Sequence, residues 1–298
     1  MKISHNRRLD LFLNVSLRAV IICLFVFAVC GCEQQKKQVS IKANAYERII
    51  QAKKIRVGYV SVPPGCIVDP ATKEFSGITV DILRQIGKNT DLQIDFVEEV
   101  GWATMIEGLN SGRYDMIGSN TWANPIRGKL TTLSKPIYYS GIGVWVRLNE
   151  KRLSKDDNWA SLNRPDIKLG VMDGSTGAAI AKAQFPNAKH VTYTDLTGEP
   201  QLFLELVAKK IDVVFAEPAQ GTDYLKNNPA NIKNIAANSP IRIFANVYVL
   251  PKGEFQLKGM IDTALEDLQN SGFVDQVLKK YEPGPHAFYR VAKPFRVD

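Results

Sequence analysis

Short apolar runs along this chain alternate between two periods. Ile55-Arg56-Val57-Gly58-Tyr59-Val60, Leu92 to Val97 and Tyr114 to Gly118 have the length and β-branched or aromatic content of strands. Pro63-Pro64-Gly65 stops the first of them. Between strands, the segment opening at Gly77 carries apolar residues at 78, 82, 83 and 86, a 3.6-residue period that predicts a helix. Tyr46 to Lys54 and Trp102 to Leu109 are predicted as further helices, and Ile142 to Val146 as another strand. The rhythm then restarts. Strands are predicted at Ile167 to Met172, His190 to Tyr193, Ile211 to Ala216 and Ile241 to Leu250, with helices at Ser175 to Gln184, Gln201 to Lys209 and Pro218 to Asn227. Two amphipathic helices, Phe255 to Leu268 and Phe273 to Tyr281, close the pattern. Strands alternating with helices predict α/β architecture with largely parallel sheets.

The N-terminal pattern differs. Lys2, Arg7, Arg8 and Arg18 precede an uninterrupted apolar run, Ala19 to Val29, which is shorter than the roughly 20 residues of a spanning helix. This order is that of a secretory signal. Its end, Val29-Cys30-Gly31-Cys32, resembles a bacterial lipobox. That resemblance implies cleavage after Gly31 and a diacylglyceryl thioether on Cys32, a membrane anchor. An uncleaved anchor or an ordinary signal peptide is the alternative. Glu33 to Ala45 is polar and weakly patterned, as in a tether.

Charge and cysteine content narrow the function. The formal charge is +8, from 38 basic and 30 acidic residues. Removing residues 1–31 takes Lys2, Arg7, Arg8, Arg18 and Asp10, which leaves 34 against 29, or +5. The excess is spread along the chain, without the clustered stripe of a nucleic-acid binder. Of four cysteines, Cys23 and Cys30 leave with residues 1–31 and Cys32 carries the expected lipid, so Cys66 is alone and no internal disulfide is expected. Three histidines, His5, His190 and His286, are too few and too scattered for a multi-histidine metal site or an expected Ser-His-Asp arrangement. No P-loop or GxSxG motif occurs. No cofactor or metal is expected.

The run Tyr114 to Ser140, YDMIGSNTWANPIRGKLTTLSKPIYYS, carries the most specific signal. With Gly112, it resembles the central stretch of the family-3 extracellular solute-binding proteins, receptors of amino-acid ABC importers. Their pattern is a Gly-x-Tyr-Asp strand, a short Thr/Ser loop, an Arg, and Phe-Ser-x-Pro-Tyr. Gly112, Tyr114 and Asp115 open it here, Arg127 stands at the ligand-binding Arg, and Leu133-Ser134-Lys135-Pro136-Ile137-Tyr138 closes it. The resemblance covers roughly Ala45 to Glu282. It implies a two-lobed type II periplasmic-binding fold, two three-layer α/β lobes joined by a two-strand hinge. The implied organisation is a signal at 1–31, a tether at 32–44, lobe 1 at 45–139, a crossing at 140–147 and lobe 2 at 148–242. A return at 243–282 adds lobe 1's C-terminal helices, and 283–298 is a loose tail.

The same resemblance assigns candidate site residues. An Arg on the loop at 127 can hold a carboxylate through two parallel hydrogen bonds. Gly174-Ser175-Thr176 opens a helix whose N-terminus attracts anions, although helix capping alone also accounts for Ser175 and Thr176. Glu217 stands where the amino-acid receptors carry an Asp for the ligand's α-ammonium, and is also a first-turn helix acid before Pro218. The loop 119–125 departs from the family pattern: Asn120 and Thr121 are the candidate donors, and Trp122 either stacks on the ligand or seals the core. Tyr59 is a candidate for the aromatic that usually follows the Pro-Pro pair, and Trp102 is assigned to core packing. The expected function is a receptor that captures a small zwitterion, an amino acid or derivative, and delivers it to an ABC permease. It is expected as a monomer, lipid-anchored at the periplasm or cell surface. The alternative is an enzyme resembling cyclohexadienyl or arogenate dehydratases, with Glu217 as general acid.

Overall fold

In a computed structural model of the chain, residues 44–154, 157–194, 198–228, 231–284 and 287–291 are described. The expected signal, Cys32 and the tether before Asn44 lie outside them. The described residues belong to one compact unit, Ala43–Asp298.

Helix α1 (Ala45–Ala52) starts where the Asn44 side chain accepts the Glu47 N–H, as a helix cap requires. Strand β1 (Lys54–Tyr59) follows, then the short antiparallel pair β2 (Ile67–Val68) and β3 (Phe75–Ser76). Helix α2 (Ile78–Thr90) buries Ile78, Ile82, Leu83 and Ile86 completely, the apolar stripe the sequence shows. After β4 (Gln93–Glu99), helix α3 (Met105–Ser111) starts later than its pattern predicts, because Trp102 to Thr104 form a turn. Strand β5 (Met116–Trp122) runs four residues beyond its predicted end. Pairing with Ile243–Leu250, far along the chain, extends it: Thr121 lies opposite Val247 and Trp122 opposite Asn246.

Helix α4 (Pro125–Leu130) is absent from the predicted pattern; it is too short to show a period. Strands β6 (Thr132–Leu133), β7 (Tyr138–Gly141) and β8 (Gly143–Arg147) follow. The second half runs β9 (Lys168–Met172), α5 (Thr176–Gln184), β10 (Lys189–Tyr193), α6 (Glu199–Val207), β11 (Val213–Ala216), α7 (Pro218–Asn227) and β12 (Ile232–Asn234). Then come β13 (Ile243–Leu250), α8 (Phe255–Asn270), α9 (Phe273–Tyr281) and β14 (Phe288–Tyr289).

Two sheets organise these elements. Among the described residues the first has seven strands, ordered β14-β7-β13-β5-β1-β4 with β6 also on β13. The second has five, ordered β10-β9-β11-β8-β12. Both are mixed rather than largely parallel. β1 runs parallel to β4 and β5, whereas β13 is antiparallel to β5, β6 and β7. β9 is parallel to β10 and β11, whereas β8 is antiparallel to β11 and β12. The antiparallel strands are those that carry the chain between sheets. It leaves the first sheet at the end of β7 and returns at the start of β13, and these strands pair, with Gly141 opposite Ile243 and Ser140 opposite Phe244.

Each sheet has its own apolar core. Ile55, Val57 and Met116 pack with α2, α8 and α9 on the first. Val144, Leu169, Val171 and Phe215 pack with Ile180 and Phe185 of the α5 region on the second. Of the expected loose tail at 283–298, residues 285–286 and 292–298 lie outside the described residues, and 287–291 are tied to the fold. Phe288 pairs opposite Ser140 on β7 and is buried beside Tyr138, and Arg290 bonds Asp275 and Glu282.

Candidate functional site

A cavity lies between the two lobes, walled by both sheets' strand ends and helix starts. Asn120, Trp122 and Arg127 reach it from the first lobe, and Ser175, Thr176 and Glu217 from the second. Six of the eight candidate ligand residues therefore meet at one place. Thr121 does not line it; on alternating strand β5 its side chain is wholly buried and bonds the Ser119 carbonyl. Gly174 does not line it either, but takes φ +64 at the turn into α5, packed against the backbone of Ala103 in the first lobe.

Arg127 sits in a helical turn rather than a loop. Asn124 caps α4 by accepting the Arg127 N–H at 2.9 Å, and Pro125 at the first helical position suits that start. The guanidinium is 5% exposed. Its Nη1 donates to the Trp122 carbonyl at 2.8 Å and to Thr176 Oγ1 at 3.4 Å, and it lies 5.3 Å from the Trp102 ring centroid. Burial lowers its pKa to about 10, so it stays charged at neutral pH. Among the described residues no carboxylate forms an ion pair with it.

Across the cleft, Ser175 caps α5 by accepting the Ala178 N–H at 3.1 Å. The helix N-terminus, with Thr176 and Gly177 in the cavity wall, thus faces the same space as Arg127. A cation and a helix N-terminus together form an anion subsite.

Glu217 ends β11 and precedes α7, with Gln220 Oε1 accepting its backbone N–H at 3.0 Å. It is 3% exposed; Oε1 accepts from Ser140 Oγ at 2.6 Å, and Oε2 is buried with no partner. Loss of solvent pushes its pKa to about 7; the Ser140 hydrogen bond opposes the rise and the nearby Glu199 charge adds to it. Ser140, on β7, also accepts Nε1 of Trp122 and Nδ2 of Asn246, both at 2.8 Å. One hydroxyl thus ties β5, β7 and β13 to the carboxylate. The Asn120 Oδ1, in a residue 6% exposed, is a second buried acceptor without a partner.

Trp122 lines the cavity, and its ring stacks on Phe244 at 5.5 Å between centroids. Two lining residues were not legible as such. Trp102, assigned to core packing, faces the cavity and donates Nε1 to Glu199 Oε1 at 3.4 Å across the cleft. Glu199, the first residue of α6, carried no signal beyond a first-turn acid. Tyr59 turns away from the cleft and packs on Phe75 and Phe96. Cys66 is a buried thiol whose pKa is pushed up to about 12 by loss of solvent. Among the described residues no group of histidine, cysteine and acidic side chains is placed to hold a metal, and no helix is long and apolar enough to cross a membrane.

Comparison with known proteins identifies the family. Residues 55–284 match the bacterial extracellular solute-binding proteins, family 3, and the chain belongs to that family. A probable histidine-binding protein of Campylobacter jejuni is 23% identical over 209 residues, 70% of this chain and 77% of that protein. The L-cystine-binding protein TcyA of Bacillus subtilis is 22% identical over 278 residues, 92% of this chain and 96% of that protein. Among solved structures, the ancestral amino acid-binding protein AncCDT-1, a precursor of cyclohexadienyl dehydratase, superposes with a TM-score of 0.70. It is 22% identical and covers 80% of this chain and 99% of its own, a likeness of fold.

Proposed function

We propose that this family-3 solute-binding protein captures an amino acid or close derivative by lobe closure and delivers it to the permease of an ABC importer. In this reading Arg127, with the α5 N-terminus, takes the α-carboxylate, and Glu217 takes the α-ammonium. The observation that carries it is a buried guanidinium, Arg127, without a carboxylate partner among the described residues, across the cleft from a buried carboxyl, Glu217, with its Oε2 left unsatisfied. Buried charges are costly unless compensated, and a zwitterion compensates both at once. Asn120, Ser175, Thr176 and Trp122 shape the remaining wall, and Gly174 permits the close approach of the lobes. The relatives reported above are named for binding, and a carboxylate raised toward neutrality is equally suited to receive an ammonium. Signal cleavage, lipidation of Cys32, residence at the cell envelope and a monomeric receptor complete the proposal.

A thermal-shift screen against the common amino acids, with prephenate included, tests it. A bound ligand raises the melting temperature by mass action, and a hundredfold excess over Kd adds about 2.7 kcal/mol. One or a few amino acids are expected to raise it, and Arg127→Ala and Glu217→Ala to abolish the rise. Turnover of prephenate, or a shift untouched by both substitutions, would contradict the reading.

A further inference from the structure

A simple zwitterion leaves one carboxyl of the cavity without a ligand partner. The cavity's ionisable lining consists of one cation, Arg127, and two acids, Glu217 and Glu199. An α-carboxylate and an α-ammonium use Arg127 and Glu217 and leave Glu199 over.

Glu199 is held facing the cleft. It shares a face of α6 with Leu202, three residues on, which lines the same cavity. Its Oε1 accepts from Trp102 Nε1 at 3.4 Å. A first-turn acid stabilises its helix from the solvent side without any ligand. Glu199 differs, because it turns into a closed wall and meets a side chain of the other lobe. Glu205, two turns along the same helix, shows the ordinary solution: Lys210 pairs with it at 2.9 Å and Gln201 donates to it at 2.7 Å. Among the described residues no Lys or Arg forms an ion pair with Glu199.

We propose that the solute carries a second cationic group at the end of its side chain, and that Glu199 is the residue that selects it. This rests on the reading that Arg127 and Glu217 clasp the two ends of an amino acid. The class is therefore a basic amino acid. The Trp102 and Trp122 faces enclose its methylene or cationic portion, where an aromatic face favours a cation.

Calorimetry with two isosteric pairs tests this: arginine against citrulline, and lysine against 2-aminoheptanoic acid. Each pair differs in the distal charge. The protein is expected to bind the charged member about tenfold or more tightly than its neutral partner. Glu199→Gln is expected to bring that ratio near one, and Glu199→Asp to keep a preference for the charged member. A neutral member bound as tightly as its partner, or a ratio unchanged in Glu199→Gln, overturns the assignment while leaving the receptor reading intact. If none of the four binds but another amino acid does, the Glu199 assignment falls alone. If no amino acid binds, the receptor reading falls and this inference with it.

Discussion

Glu217 concentrates the chemistry of the site in one carboxyl. Solvent exclusion raises its pKa from 4.5 to about 7, with Ser140 opposing and Glu199 reinforcing. The consequence for stability has a definite sign. A carboxyl whose folded value is raised favours the folded state below its unfolded value and loses that contribution as pH rises through the folded one. The ligand-free protein is therefore expected to lose stability between about pH 4.5 and pH 7 relative to Glu217→Gln. The ligand acts in the opposite direction, because an ammonium favours the ionised carboxyl. Melting temperatures of both proteins across that range, with and without ligand, check this. The account expects ligand stabilisation to grow with pH in the wild type and to lose that growth in the variant. Equal pH profiles for the two proteins would show that Glu217 does not titrate in this window.

At the scale of elements, the cleft is made by strand ends and helix starts that turn toward each other. The β9–α5 turn brings Gly174 against the first lobe, where a Cβ would stand 2.6 Å from the Ala103 Cα and N. Its φ of +64 is itself unfavourable for other residues, by roughly 1–2 kcal/mol. Gly174→Ala is expected to remain folded, with a modestly lower melting temperature, and to bind ligand about tenfold or more weakly, because the lobes no longer meet. Calorimetry alongside melting separates the two effects. Affinity as strong as wild type would mean the contact is not needed for closure. The crossing elements have a related design. Ser140 on β7 bonds Trp122 of β5, Asn246 of β13 and Glu217 of the other lobe, so an occupied site and the hinge share one hydrogen-bond hub.

Across the whole molecule, the alternation of strands and helices was legible because it depends on local period. The α2 stripe at 78, 82, 83 and 86 lies in the core as its spacing predicts. Features set by remote partners were not legible. β5 reaches Trp122 because β13 pairs with it, and β14 exists because β7 offers an edge. The site divides the same way. Arg127, Glu217 and the Ser175-Thr176 turn were marked by resemblance of single segments to the family pattern, and they line the cavity. Glu199 and Trp102 became neighbours only through the docking of two lobes, which no local pattern encodes.

In the proposed receptor, one solute spans Arg127 and Glu217 by its own two charges. The most direct measurement is calorimetric binding of the best amino-acid ligand beside its α-amide, which lacks the carboxylate, and its N-acetyl derivative, which lacks the ammonium. The account predicts that the parent binds and that each derivative loses about a hundredfold or more, since each leaves one buried charge uncompensated. A derivative that binds as tightly as the parent would contradict it.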